Sequence, residues 1–232
     1  MTINRRFVLK SFALAGVAGA LAGPTRALAG LSVADDPGTA GKPLLALVND
    51  DHAGPVFLDG ARALTGTGLE VPRAGSDLAF LVDLERRLRS GRPLSIIGLL
   101  DDAAGTLVVD VARGTGARLQ WLGQHSAQPL TSSHHLLTAS SARDGARALA
   151  RQLQVCGAAF SLRHEGHGDA APVAVAAAAT ANSAAVADQW LRSTGGQLAA
   201  LALQRPPAQP QELATPAGAA VRGHFGSFLI QI

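Results

Sequence analysis

Residues 44–48 read Leu-Leu-Ala-Leu-Val, and residues 94–100 read Leu-Ser-Ile-Ile-Gly-Leu-Leu. Near-continuous apolar runs of this length, lacking a polar alternate, suit strands covered on both faces. Between them the chain carries helical signals. Pro55 opens a helix that runs through Leu64, because proline is tolerated in the first helical turn. Gly66 and Gly68 end it, and Leu69-Glu70-Val71 makes a short second strand. Ser76 is placed to cap the next helix, whose Leu78, Phe80, Leu81, Leu84 and Leu88 recur at helical spacing. Glu85 and Arg89 stand four apart, and Arg86, Arg87 and Arg89 complement the negative end of the helix dipole. Gly91 and Pro93 stop that helix. The stretch therefore reads strand, helix, strand, helix, strand.

The same rhythm extends outward. Residues 101–113 fit a helix with acidic residues at its start and Arg113-Gly114 at its end. They also fit a strand with Leu107, Val109 and Val111 on one face; the preceding alternation favours the helix. Residues 117–122 form the next strand. Residues 134–138 suit a further strand, followed by a helix capped by Ser141 with Asp144 three residues on. That helix buries Ala142, Ala146, Leu149 and Leu153 and ends at Gly157. Residues 158–162 read as a strand, 173–179 as an Ala-rich run of open type, and 183–203 as a helix bent or interrupted at Gly195-Gly196. Four prolines mark 204–220 as a surface linker. A terminal strand closes the chain. The expected fold class is α/β, with a mainly parallel sheet covered by helices on both faces. Its second half is either a smaller C-terminal α+β lobe or a continuation of that sheet. The expected division is 1–29 export segment, 30–42 lead-in, 43–126 α/β domain, 127–203 second lobe, 204–220 linker and 221–232 terminal strand.

The chain has 232 residues, 47% of them hydrophobic and 16% charged. That composition excludes a disordered or collagen-like chain. The one cysteine excludes an internal disulfide, a multi-thiolate zinc site and an iron–sulfur site. The 20 basic residues against 17 acidic ones look like a basic protein. However, Arg5, Arg6, Lys10 and Arg26 are the only charged residues among the first 29, and removing them leaves 16 basic against 17 acidic groups. No basic stripe with interleaved aromatics remains, so nucleic acid is not an expected partner. Lys42 is the only lysine left.

Residues 4–10 read Asn-Arg-Arg-Phe-Val-Leu-Lys, and a weakly apolar run over 12–23 leads to Ala27-Leu28-Ala29. This segment resembles the bacterial twin-arginine (Tat) export signal, whose core is Ser/Thr-Arg-Arg-x-Phe-Leu-Lys. Arg5, Arg6, Leu9 and Lys10 match that core, while Asn4 and Val8 depart from it. Ala27 and Ala29 suit signal-peptidase cleavage. The resemblance implies passage to the periplasm in the folded state, with the Tat translocase and signal peptidase as partners during export. Twelve apolar residues fall short of the ~20 needed to span a bilayer, so no stable membrane anchor is expected.

Chemistry in open α/β sheets sits beyond the carboxyl ends of the strands. The first strand runs into Asn49-Asp50-Asp51-His52, the third into Asp101-Asp102 and the fourth into Gln124-His125-Ser126. If these strands are adjacent and parallel, Asp50, Asp51, Asp101 and Asp102 share a crevice with His52 and His125. Such a cluster raises a carboxyl pKa by repulsion or holds a divalent cation. The competing reading makes Asp51, Asp101 and Asp102 helix caps. Asp50, Asp51 and Asp101 also give the chain a resemblance to the receiver domain of response regulators, with its acidic pair and phospho-accepting Asp. No lysine follows them, so that resemblance implies topology alone.

Weaker signals complete the inventory. His164-Glu165-Gly166-His167-Gly168-Asp169 is not His-Glu-x-x-His, and its glycines suit a polar turn. Strand alternation sends His134 and His135 to opposite faces. There is no Gly-x-Ser-x-Gly elbow, dinucleotide fingerprint or phosphate-binding loop. Cys156 falls at a helix C-terminus, where the dipole disfavours a thiolate, and Trp121 and Trp190 read as core. No cofactor is identified. Two functions remain open: a non-catalytic periplasmic protein that binds a small ligand or assists an exported redox enzyme, and a metal-assisted hydrolase using the acidic and histidine cluster.

Overall fold

The computed structural model describes residues 42–49, 51, 53–72, 77–157, 159–167, 171–178, 188–207 and 221–232. The export-signal residues Arg5, Arg6, Leu9, Lys10, Ala27 and Ala29, the lead-in through residue 41, and most of the Pro-rich linker lie outside them. Among the described residues the strands are β1 (Leu44–Val48), β2 (Leu69–Glu70), β3 (Ser95–Asp101), β4 (Arg118–Gln128), β5 (Thr131–Thr138), β6 (Ala159–Gly166), β7 (Val173–Ala177) and β8 (Gly223–Gln231). The helices are α1 (Ala53–Thr65), α2 (Leu78–Arg89), α3 (Asp102–Gly114), α4 (Arg143–Cys156) and α5 (Gln189–Ala202). No described helix is long and apolar enough to cross a membrane.

All eight strands join one sheet in the order β2-β1-β3-β8-β4-β5-β6-β7. The α/β class stands, but the sheet is mixed rather than mainly parallel. Pairs β1–β2, β1–β3 and β5–β6 are parallel, whereas β3–β8, β8–β4, β4–β5 and β6–β7 are antiparallel. The physical reason is the connections. Only two residues, Pro129 and Leu130, join β4 to β5, and so short a link can make only an antiparallel hairpin. The final strand inserts between β3 and β4, so the expected alternation of strand and crossover helix ends there. A receiver-type order of adjacent parallel strands is therefore interrupted immediately after β3. The hairpin also crosses residues 126–127, so the second half continues the sheet of the first.

Two layers cover the sheet unequally. On one face α1, α4 and α5 pack through Phe57, Leu58, Leu149, Leu153, Leu191 and Leu198 onto the strands. On the other, α2 and α3 cover β1, β3 and β8 through Leu84, Leu88, Val108 and Val109. The alternation of β4 to β6 leaves their opposite face half-buried or exposed. Helix α5 is buried along almost its whole length. Gly195-Gly196 does not interrupt it. A Cβ on Gly195 would collide with the carbonyl of Phe57, and one on Gly60 with the carbonyl of Arg192. These glycines let the α1 and α5 backbones touch.

Local differences have local causes. The α2 cap is Asp77, whose Oδ1 accepts from the Phe80 N–H at 2.8 Å, not Ser76, which lies outside the described residues. Leu78 then falls in the first turn and is 76% exposed rather than part of the apolar face. A 3₁₀ turn, Ser140–Ala142, precedes α4, so Ser141 donates to Gln120 Oε1 instead of capping. Residues 164–166 are strand, not turn, because β6 runs on beside β5.

Candidate functional site

The strand-end cluster comes together only in part. Adjacent parallel β1 and β3 bring Asn49 Nδ2 to 2.8 Å from Asp101 Oδ2. Asp101 Oδ1 accepts from the Ala104 N–H at 2.9 Å and caps α3. That amide is the largest cause holding the Asp101 carboxyl below its ordinary range; burial opposes it and the Asn49 amide adds to it. Asp51 Oδ1 likewise accepts from the N–H groups of Ala53 and Gly54, at 3.0 and 3.2 Å. Asp102 is exposed in the first turn of α3. Asp50 and His52 lie outside the described residues. His125 is level with Asp101 in register, but β8 stands between them through Phe225. Two strand spacings, about 10 Å, separate the two. Moreover, β4 does not end at 122 but continues to Gln128, which makes His125 a sealed mid-strand residue, 2% exposed. Among the described residues no three His, Cys, Asp or Glu side chains are placed to hold a metal ion.

What His125 joins is a buried hydrogen-bonded chain. Opposite it on β5 stands His134, and the two Nδ1 atoms are 2.8 Å apart. His134 Nε2 lies 2.8 Å from Ser132 Oγ, and His125 Nε2 lies 2.7 Å from Ser227 Oγ on β8. Trp121 Nε1 donates to the same Ser227 oxygen at 2.9 Å. Trp190 roofs the chain, stacked on His125 with ring centres 4.7 Å apart. Burial pushes His134 down to about 3, while His125 falls well below its ordinary value through burial first and its neighbour His134 second. Both imidazoles are therefore neutral.

The indole sets the direction of this chain. An indole N–H can only donate, and a serine hydroxyl has one hydrogen. Trp121 donates to Ser227, so Ser227 is free to donate to His125 Nε2. His125 then carries its proton on Nδ1 and donates to His134 Nδ1, and His134 donates from Nε2 to Ser132. The reverse polarity would load Ser227 with two N–H donors and leave its own hydrogen pointing at none of these groups. Gly123 makes the arrangement possible, because a Cβ there would collide with Ser227 Oγ and stand 2.7 Å from His125 Nε2.

The other face of the same strands is open. Ser126, Ser133 and Ser161 are register partners on β4, β5 and β6, and Ser161 Oγ donates to Ser133 Oγ at 3.1 Å. With Gln128, Thr131 and Ala159 on the same face they line a cleft of about 280 Å³, whose lining also takes in Ser132, Phe160 and Ala177 although these turn to the buried face. One row further along, Glu165 Oε1 holds both Arg163 Nε at 2.8 Å and His135 Nε2 at 3.2 Å. Burial raises the Glu165 carboxyl and these two donors lower it, with a net shift down.

Sequence reading missed both features. The signal was present: over 121–128, Trp121, Gly123, His125 and Ala127 face in, while Gln124 and Gln128 face out. A histidine and a glycine on the inward face hid this period of two. His134 and His135 do face opposite ways, the first into the chain and the second onto Glu165. His164 is buried and paired with Thr138 Oγ1 at 2.8 Å. No protein-family model matches this chain, and neither does a curated protein or a solved structure.

Proposed function

We propose that this protein is exported by the Tat pathway to the periplasm and is a non-catalytic binding protein for a small ligand. The ligand sits in the serine-lined cleft on the open face of β4 to β6. One observation carries this reading. The sheet is covered on both faces at β1, β3 and β8, yet at β4 to β6 one face presents hydroxyl and amide groups around a 280 Å³ concavity. That volume is just below the ~300–1,000 Å³ usual for ligand sites, which suits a small ligand. The buried histidine chain lies beneath the cleft, where it ties β8, β4 and β5 together and keeps that platform in one shape. At the strand ends the Oδ1 atoms of Asp51 and Asp101 are engaged as helix caps, and Asp101 Oδ2 accepts from Asn49 Nδ2.

The test has two parts. Substituting Arg5 and Arg6 by Lys is expected to hold the precursor in the cytoplasm, whereas the parent is recovered from the periplasm beginning at Gly30. Amide spectra of that mature protein, titrated with a mixture of small polar compounds, are expected to shift at Ser126, Ser133 and Ser161 together. Saturable shifts confined to Asp51 and Asp101, or none, would overturn the reading.

A further inference from the structure

Resting on that binding reading, we infer that the cleft selects an uncharged, hydroxyl-rich ligand of the size of a sugar, and discriminates against charged molecules of the same shape. The argument is the chemistry of the lining. The side chains it presents on the open face are those of Ser126, Gln128, Thr131, Ser133, Ala159 and Ser161, and none is ionisable. A hydroxyl both donates and accepts, and the carboxamide of Gln128 does the same through different atoms. Such groups meet a ligand hydroxyl in either sense. By contrast, they give a carboxylate or ammonium no opposite charge. Partial burial of an ion in such a cleft costs its hydration without a paired charge in return. The nearest ionisable groups are exposed His224, which pairs with Ser126 from β8, and one row along the Arg163 guanidinium, which is engaged by Glu165 together with His135.

The arrangement of the hydroxyls adds a second, geometric element. Ser126, Ser133 and Ser161 stand on three neighbouring strands in register, so their attachment points repeat at about 4.8 Å across the sheet. The row presents successive polar contacts along one line, which suits a ring bearing several hydroxyls better than a compact ligand with one polar end. Ala159, the outward-facing neighbour of Thr131 on β6, supplies apolar surface for the carbon skeleton of such a ring.

The experiment titrates the mature protein with the methyl glycosides of glucose, galactose and N-acetylglucosamine, and with those of glucuronic and galacturonic acid, following the three serine amides. At least one neutral glycoside is expected to bind tenfold or more tightly than the acid of matching ring. Its affinity should fall at least threefold in Ser133→Ala, which removes the hydroxyl that accepts from Ser161 on an exposed strand position. If an acidic glycoside binds at these amides as tightly as its neutral counterpart, the inference falls and the binding reading stands. An unchanged affinity in Ser133→Ala likewise overturns the inference. If no glycoside moves these amides while another compound does, the ligand class is wrong; if nothing moves them, the binding reading itself fails.

Discussion

Gly123→Ala is the most informative single perturbation of this fold. The glycine sits mid-strand in β4 without a positive φ, so alanine meets no backbone restriction and only space decides the outcome. The new Cβ would collide with Ser227 Oγ and lie 2.7 Å from His125 Nε2, both in fully buried residues. One of the two must move, and the hydrogen bond between them breaks. Overpacking of a dense core costs ~1–3 kcal/mol. A buried polar group left without its partner costs another ~1–3 kcal/mol. Loss of glycine's extra freedom in the unfolded chain offsets about 0.4–1 kcal/mol. The expected destabilisation is thus about 1–5.5 kcal/mol, centred near 3. Urea unfolding reads it as a fall in midpoint of roughly 1 M or more at unchanged slope. Gly105→Ala is the control, since its Cβ would find nothing nearer than 3.6 Å and helix α3 gains a better helix former. Adding Ser227→Ala to Gly123→Ala should relieve the collision, so the double variant should lose less than the two single losses combined. A Gly123→Ala protein within 0.5 kcal/mol of the parent would refute the reasoning.

Other outcomes follow from the same geometry. Nitrogen-15 imidazole spectra should show the proton of His125 on Nδ1 and that of His134 on Nε2. The opposite assignment would mean Trp121 does not set the direction, and Ser227→Ala should scramble the assignment while costing ~2–4 kcal/mol by leaving Trp121 and His125 unpaired. Stability should also fall in acid. His134 drops from 6.5 to about 3 on folding and His125 also falls, so the unfolded chain binds more protons. The contribution is fully present above pH 6.5 and is lost as pH falls towards 3, at about 1.4 kcal/mol per pH unit for each imidazole. Asp101, lowered on folding, acts in the same direction, whereas Asp188, raised by burial against the Val221 N–H, opposes it. A urea midpoint that stays flat between pH 6.5 and 4 would contradict this. Finally, Asp101→Ala should cost ~0.5–2 kcal/mol as a lost cap without altering the metal content of the purified protein; release of a bound ion would instead revive the strand-end site.

Much of the first half was legible in residues 44–114, because each element there is decided within its own length. Apolar runs mark β1 and β3, Gly66 and Gly68 end α1, and arginines and Gly91 end α2. The helix over 102–114 was resolved by rhythm alone, and the structure adds the reason: Asp101 closes the first turn with its own carboxylate. The candidate site was legible only as far as Asn49 and Asp101, which local strand ends bring together. His125 was misplaced by its neighbours in sequence. Polar residues from Gln124 to Ser126 look like the end of a strand, and only the partner strands on both sides show that it continues.

The sequence by itself determined the class of fold, the position of most elements and the capping roles open to Asp51 and Asp101. Those depend on propensities and hydrogen bonds that span three or four residues. Tertiary structure alone decided that β8 lies between β3 and β4, that the sheet is mixed, and that one half of it keeps an open face. It also decided that His125 bonds both His134, nine residues away, and Ser227, a hundred residues away. A polar residue can be buried only where partners satisfy it. No local pattern encodes partners that distant strands supply.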